Sequence, residues 1–81
     1  MSKNPKVVER KLGRENALGQ MNYTDNIIDI DPRQDPKDYM NTLIHEKLHH
    51  LAPSWSETKV EWWANRLAKF LWEQNYRKTN L

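Results

Sequence analysis

Pro53 constrains this chain more than any other residue. Apolar residues recur at helical spacing on both sides of it, and without it one helix would run from about Pro36 to Tyr76. Proline lacks the N–H that an inner helical turn needs, so the segment must break there. Each half carries its own start signal. Asp35 can cap a helix whose first residue is Pro36, with Asp38 adding charge near the positive end of the dipole. After the break, Ser54 with Glu57 matches a capping box, and Ser56 is an alternative cap. The spacing therefore predicts one helix over 36–51 and a second from about 57 to 76. A loop so short makes them fold back as an antiparallel pair.

The N-terminal part reads differently. "NIIDID" at 26–31 is rich in β-branched residues and bounded by polar turn residues, which predicts a strand. Gly19 to Thr24 leads into it as a turn or a second strand. "KVVERKL" at 6–12 suits a short strand or a short helix, and periodicity does not choose between them. The expected fold is α+β: a small N-terminal sheet or hairpin, then the helix pair, as a single domain over 1–81 with 1–5 and 77–81 frayed.

A chain of 81 residues is marginal for a self-sufficient core, and such chains often rely on a staple. With no cysteine, disulfides and thiolate metal sites are excluded, so any metal staple must use His, Asp or Glu. The 13 basic and 11 acidic residues are too balanced to argue for nucleic acid. There is no apolar leader and no stretch long enough to span a bilayer, so a cytoplasmic protein without a membrane partner is expected.

All three histidines fall in "LIHEKLHHL" at 43–51. On a helix, positions i and i+4 share a face, so His45 and His49 can offer their imidazoles to one ion. Glu46 lies about 100° round from His45, beside that ion, where it can take a proton from a water the ion has acidified. The same residues also suit a plain amphipathic helix, with His45 at the edge of its apolar stripe and Glu46 and His50 on its polar side. The second helix bears on the choice. Glu57 falls within the apolar arc of Val60, Ala64, Leu67, Ala68 and Leu71, and Glu61 falls between Ala68 and Trp72. Carboxylates on a buried stripe are costly unless compensated. In an antiparallel pair Glu57 comes opposite His49 and Glu61 opposite His45. Either completes three protein ligands; Glu57 is preferred, with Glu61 as the alternative.

"HEKLH", a turn, and a helix opening with "SETKVE" together resemble a minimal gluzincin-type zinc metallopeptidase domain. The preceding "NIIDIDPRQDPKDYMNTLIHE" adds to the likeness, which is to small stand-alone zincin-like proteins of phage and bacteria and covers about Ile27 to Leu71. The resemblance implies Zn2+ held by His45, His49 and Glu57 or Glu61, Glu46 as general base, and a peptide or protein substrate. It also implies that Ile27 to Asp31 is an edge strand to which a substrate strand adds. His50, Tyr39 and Tyr23 are candidates by residue type for contacts to an oxyanion or the substrate. A second reading is a zinc-stabilised binding module with little or no turnover, in which Trp62 marks a partner surface while Trp63 and Trp72 flank the core.

Overall fold

A computed structural model describes residues 3–13 and 18–77; of the ends expected to fray, 1–2 and 78–81 lie outside them. The element order is β1 (Lys6–Glu9), β2 (Gly19–Asn22), β3 (Ile27–Ile30), α1 (Pro36–Leu51) and α2 (Glu57–Glu73). This is the α+β layout the sequence predicts. "KVVE" is a strand rather than a helix, and Gly19–Asn22 is a strand followed by a turn.

The sheet order is β1-β3-β2, with β1 parallel and β2 antiparallel to β3. The expectation that Ile27 to Asp31 forms an edge strand is therefore wrong. β3 is the central strand, because β1 covers the side that a hairpin alone would leave open. Its backbone groups are spent on two neighbours, so no substrate strand can add to it. The free edges belong to β1 and β2. The β2–β3 turn closes with the Asp25 N–H donating to Asn22 Oδ1 at 3.0 Å and with Asn26 at φ 54°, a left-handed position that asparagine tolerates. The Asn26 amide also donates to the Lys3 carbonyl at 3.2 Å, which holds the chain just before β1.

Asp35 caps α1 as expected, accepting from the Asp38 N–H at 3.0 Å. For α2 the cap is Ser56, which accepts from the Lys59 N–H at 3.2 Å; the Ser54 capping box does not form. The helix also ends at Glu73, short of Tyr76. Asn75 turns the chain at φ 65°, and the Tyr76 N–H reaches back to the Leu71 carbonyl at 3.1 Å.

α1 is the middle layer. It packs against β2 and β3 on one side and α2 on the other, and among the described residues α2 does not reach the sheet. Ile28 and Ile30, two apart on β3, bury completely on the face toward α1. From α2, Val60, Ala64 and Ala68 are buried in one stripe, and the two alanines allow the helices to approach closely. No helix is long and apolar enough to cross a membrane among the described residues.

The opposite face of β3 is polar but also buried. Asp29 sits between Arg10 Nη2 at 2.7 Å and Gln20 Nε2 at 3.0 Å, so it joins the two outer strands across the central one. Asp31 gathers four donors: the Arg33 Nη2, Nε and N–H at 2.7, 2.9 and 3.0 Å, and the Leu12 N–H at 3.0 Å. It thereby fixes the turn that launches α1. The Arg33 guanidinium, then the two backbone N–H groups, hold its carboxyl well below the usual carboxylate range.

A folded-state pKa below the unfolded one means stability that is present near neutrality and lost as pH falls through the folded value. Asp31→Asn should therefore lower the melting temperature of the metal-free protein at pH 7. The gap to wild type should shrink as pH drops below about 4, the unfolded aspartate value. A gap independent of pH, measured by circular dichroism, would contradict this account of Asp31.

Candidate metal centre

His45 and His49 stand one turn apart on α1, with ring centroids 4.9 Å apart and their Nε2 atoms 3.2 Å apart. Across from them Glu57 opens α2. Its Oε1 lies 2.5 Å from His45 Nε2, and its Oε2 lies 3.0 Å from His49 Nε2. Glu57 is available because Ser56 caps the helix: it is the first helical residue and no capping box holds its carboxylate. The histidine side chains are largely buried, at 19% and 18% exposure, while Glu57 is 67% exposed.

These atoms fit a metal ion by their chemistry. One ligand atom from each residue lies within 4.8 Å of the others, and no other such group of three occurs among the described residues. A tetrahedral zinc site with bonds of about 2.0–2.1 Å spaces its ligand atoms by roughly 3.3 Å. The 3.2 Å and 3.0 Å separations are close to that value, whereas the 2.5 Å between His45 Nε2 and Glu57 Oε1 is a hydrogen-bond distance, shorter than two ligands of one ion keep. Without an ion the same atoms can pair by hydrogen bonds, an imidazole Nε2–H donating to the Glu57 carboxylate.

Glu61, the alternative ligand, is brought to the same pocket but not into the converging group. The glutamate that meets both histidines is Glu57.

Glu46 lies beside the group and is buried to 8% exposure. Burial pushes its carboxyl above the ordinary range and the Glu57 charge adds to that, while His49 and the Met21 backbone N–H pull the other way. Met21 can reach it because of strand register. The Asp31 N–H donates to the Leu18 carbonyl at 2.9 Å, so alternation along the antiparallel pair turns the backbone groups of Gly19 and Met21 away from β3. They face the helix side, where Glu46 accepts from Met21.

The glycine is what allows so close a crossing. A Cβ on Gly19 would stand 2.7 Å from Thr42 Cγ2 and 3.2 Å from Glu46 Cγ. Sequence reasoning placed Gly19 only in a turn or strand and had no signal for this contact, which joins residues far apart in the chain. Met21 was likewise missed, since its contribution is a backbone N–H.

Two side chains taken as candidates by type lie elsewhere. The Tyr39 hydroxyl donates to Glu9 Oε2 at 2.6 Å, in a groove between β1 and α1. His50 Nδ1 faces Lys47 Nζ at 3.1 Å. Neither lines the pocket that holds His45, Glu46 and Glu57. On a helix these positions fall on other faces than His45, which explains the misplacement. Tyr23 does lie near. Its hydroxyl donates to the His49 carbonyl at 3.0 Å; burial lifts its pKa, and the charges of Glu46 and Glu57 lift it further.

Comparison with family models, with curated proteins and with solved structures gave no match.

The crossing at Gly19 gives a direct test. Gly19→Ala should destabilise the protein by about 1–3 kcal/mol, the usual cost of overpacking. Thr42→Ser in the same chain should recover much of that, because it deletes Cγ2 and keeps the hydroxyl that donates to Gln34 Oε1 at 2.6 Å. Denaturant melts of wild type, the two single variants and the double variant measure it; an unchanged Gly19→Ala protein would contradict the close approach.

Proposed function

We propose that this chain is a zinc-dependent hydrolase acting on peptide bonds. The observation that carries the reading is the convergence of His45 Nε2, His49 Nε2 and the Glu57 carboxylate beside a buried Glu46. The resemblance of "HEKLH" and its following helix to gluzincin-type domains supports it. His45, His49 and Glu57 would hold the ion, which when bound supplies a Lewis acid that polarises a carbonyl and acidifies water.

The remaining work belongs to the chain. Glu46 is the general base: its Oε takes the proton of the attacking water and returns it to the leaving amine. The Met21 N–H orients that carboxylate, and burial keeps it a better base than an exposed glutamate. Of the three candidates for stabilising an oxyanion, Tyr23 has its hydroxyl on a group of the site, the His49 carbonyl at 3.0 Å, and would have to leave that partner to serve an oxyanion. We place the extended substrate along the free edge of β2, where Gly19 presents backbone groups to the pocket. We further propose that the protein works in the cytoplasm, where a chain without cysteine needs no disulfide.

A second reading, a zinc-stabilised docking module, draws on α2. Trp62, Trp63 and Phe70 are exposed on it at 49%, 42% and 59%. Trp63 in particular stands further out than its place beside the core stripe predicts, stacked on Trp55 at 6.0 Å between centroids. Exposed aromatic rings of this kind are common at partner surfaces.

Glu46→Gln separates the two. It should keep the zinc content and melting temperature of wild type and lose hydrolysis of a mixed peptide library by roughly 10²–10⁴-fold. Cleavage by both proteins at the same rate, or by neither, would overturn the enzyme reading.

A further inference from the structure

α2 carries its charges on opposite sides. Glu57 and Glu61 turn toward the pocket beside His45, whereas Lys59, Arg66 and Lys69 are all exposed on the far side. At about 100° per residue, the centre of the three cations stands roughly opposite the midpoint of those two carboxylates. Glu73, the last residue of the helix, is the one carboxylate of α2 on the cationic side.

The packing explains why that side is open. Of the helix, Val60, Ala64 and Ala68 are buried, Leu71 and Trp72 are half-buried, and the other side chains are exposed. Four large apolar side chains share the open side with the cations. Trp62 lies on one flank of Lys59 and Arg66, and Trp63, Leu67 and Phe70 lie on the other. Rings and cations are interleaved there. The Arg66 guanidinium sits 3.9 Å from the centre of the Trp62 ring, and Lys59 Nζ sits 4.3 Å from that of Trp55. Trp62 in turn meets Trp63 edge to face at 5.1 Å.

Contiguous exposed apolar surface of this kind marks an interaction site, and the charges among the rings indicate its partner. A second copy laid antiparallel on this side would set Arg66, near the middle of the helix, against its own counterpart. A nucleic acid strand would stack bases on ring faces, and Arg66 already covers a face of Trp62. An anionic bilayer surface meets both features. Its headgroups attract the cations, and rings that are apolar with a polar N–H settle at headgroup level. The side is also convex and roughly 25 Å long at about 1.5 Å per residue, which suits a broad surface.

We propose that the outer side of α2 docks on the anionic surface of a bilayer. Lys59, Arg66 and Lys69 meet the headgroups, and Trp62, Trp63 and Phe70 insert among them. A helix lying in the headgroup region needs no span, so the absence of a spanning helix among the described residues does not bear on it. The cytoplasmic leaflet is the anionic one. The pocket with His45 and Glu57 lies on the other side of α2 and stays open, whether or not it turns over a substrate.

Vesicles of phosphatidylcholine alone, and of equal parts phosphatidylcholine and phosphatidylglycerol, are the probes. Binding of the full chain is read by co-sedimentation and by tryptophan emission. The mixed vesicles should bind the protein and shift its emission to the blue, less so as salt rises. Phosphatidylcholine alone should bind roughly tenfold more weakly or less. Each cation adds roughly fivefold to such binding, so Lys59→Gln, Arg66→Gln and Lys69→Gln together should weaken it about a hundredfold. Lys6→Gln, Lys11→Gln and Lys37→Gln remove the same charge from exposed sites on other elements and should weaken it far less. Trp62→Ala with Phe70→Ala should keep the circular dichroism spectrum of wild type and bind roughly tenfold more weakly. Equal losses from the two charge triples, binding without a blue shift, or no binding to the mixed vesicles would overturn the proposal. A dimer in solution that the Trp62→Ala, Phe70→Ala variant dissociates, or binding of single-stranded DNA but not of vesicles, would also overturn it and give this face to that partner.

Discussion

The meeting of Glu57 with His45 and His49 governs this structure. Three atoms able to ligate a metal, His45 Nε2, His49 Nε2 and a Glu57 carboxylate oxygen, lie within 4.8 Å of one another, and they come from both helices. A metal ion held by all three would tie α1 to α2. The same interface buries Val60, Ala64 and Ala68 of α2 against α1. In so small a domain the binding free energy of a structural metal is folding free energy.

A second constraint acts from the sheet. β2 comes close enough to α1 that a Cβ at position 19 would crowd Thr42 and Glu46, and the same approach brings the Met21 N–H to Glu46. The Glu46 carboxylate is thus held by a backbone group of an edge strand. The carboxylate that β2 holds lies next to the two imidazoles, so the sheet, α1 and α2 each place one part of a single site. Asp31 and Asp29 serve this arrangement from the other side, locking the turn into α1 and the three strands across their polar face.

The helices were legible because their signals are local. Asp35, Pro36 and Pro53 set their limits within a turn or two of the residues concerned, and the i,i+4 spacing of His45 and His49 follows from helix geometry alone. Glu57 was within reach of the same reasoning once the second helix had been placed. The sheet was harder. β1 pairs in parallel with β3 across a long connection, and nothing in "KVVE" or "NIIDID" specifies that pairing. So the strand taken for an edge became the centre, and β2 became the edge beside the site. Tyr39 and His50 were chosen by residue type, and type does not carry direction; their helical angles would have excluded them. The choice of Ser56 over Ser54 as cap turned on the backbone just after Pro53, where two serines lie close together.

Metal content tests the account most directly. Untagged protein, purified without added metal or chelator, should contain about one equivalent of zinc by mass spectrometry of the dissolved metal. Glu57→Ala should lose it, and Glu61→Ala should retain it. A wild type that stays metal-free even after zinc is supplied, or a Glu57→Ala protein that binds as well as wild type, would show that His45, His49 and Glu57 converge for a reason other than a metal.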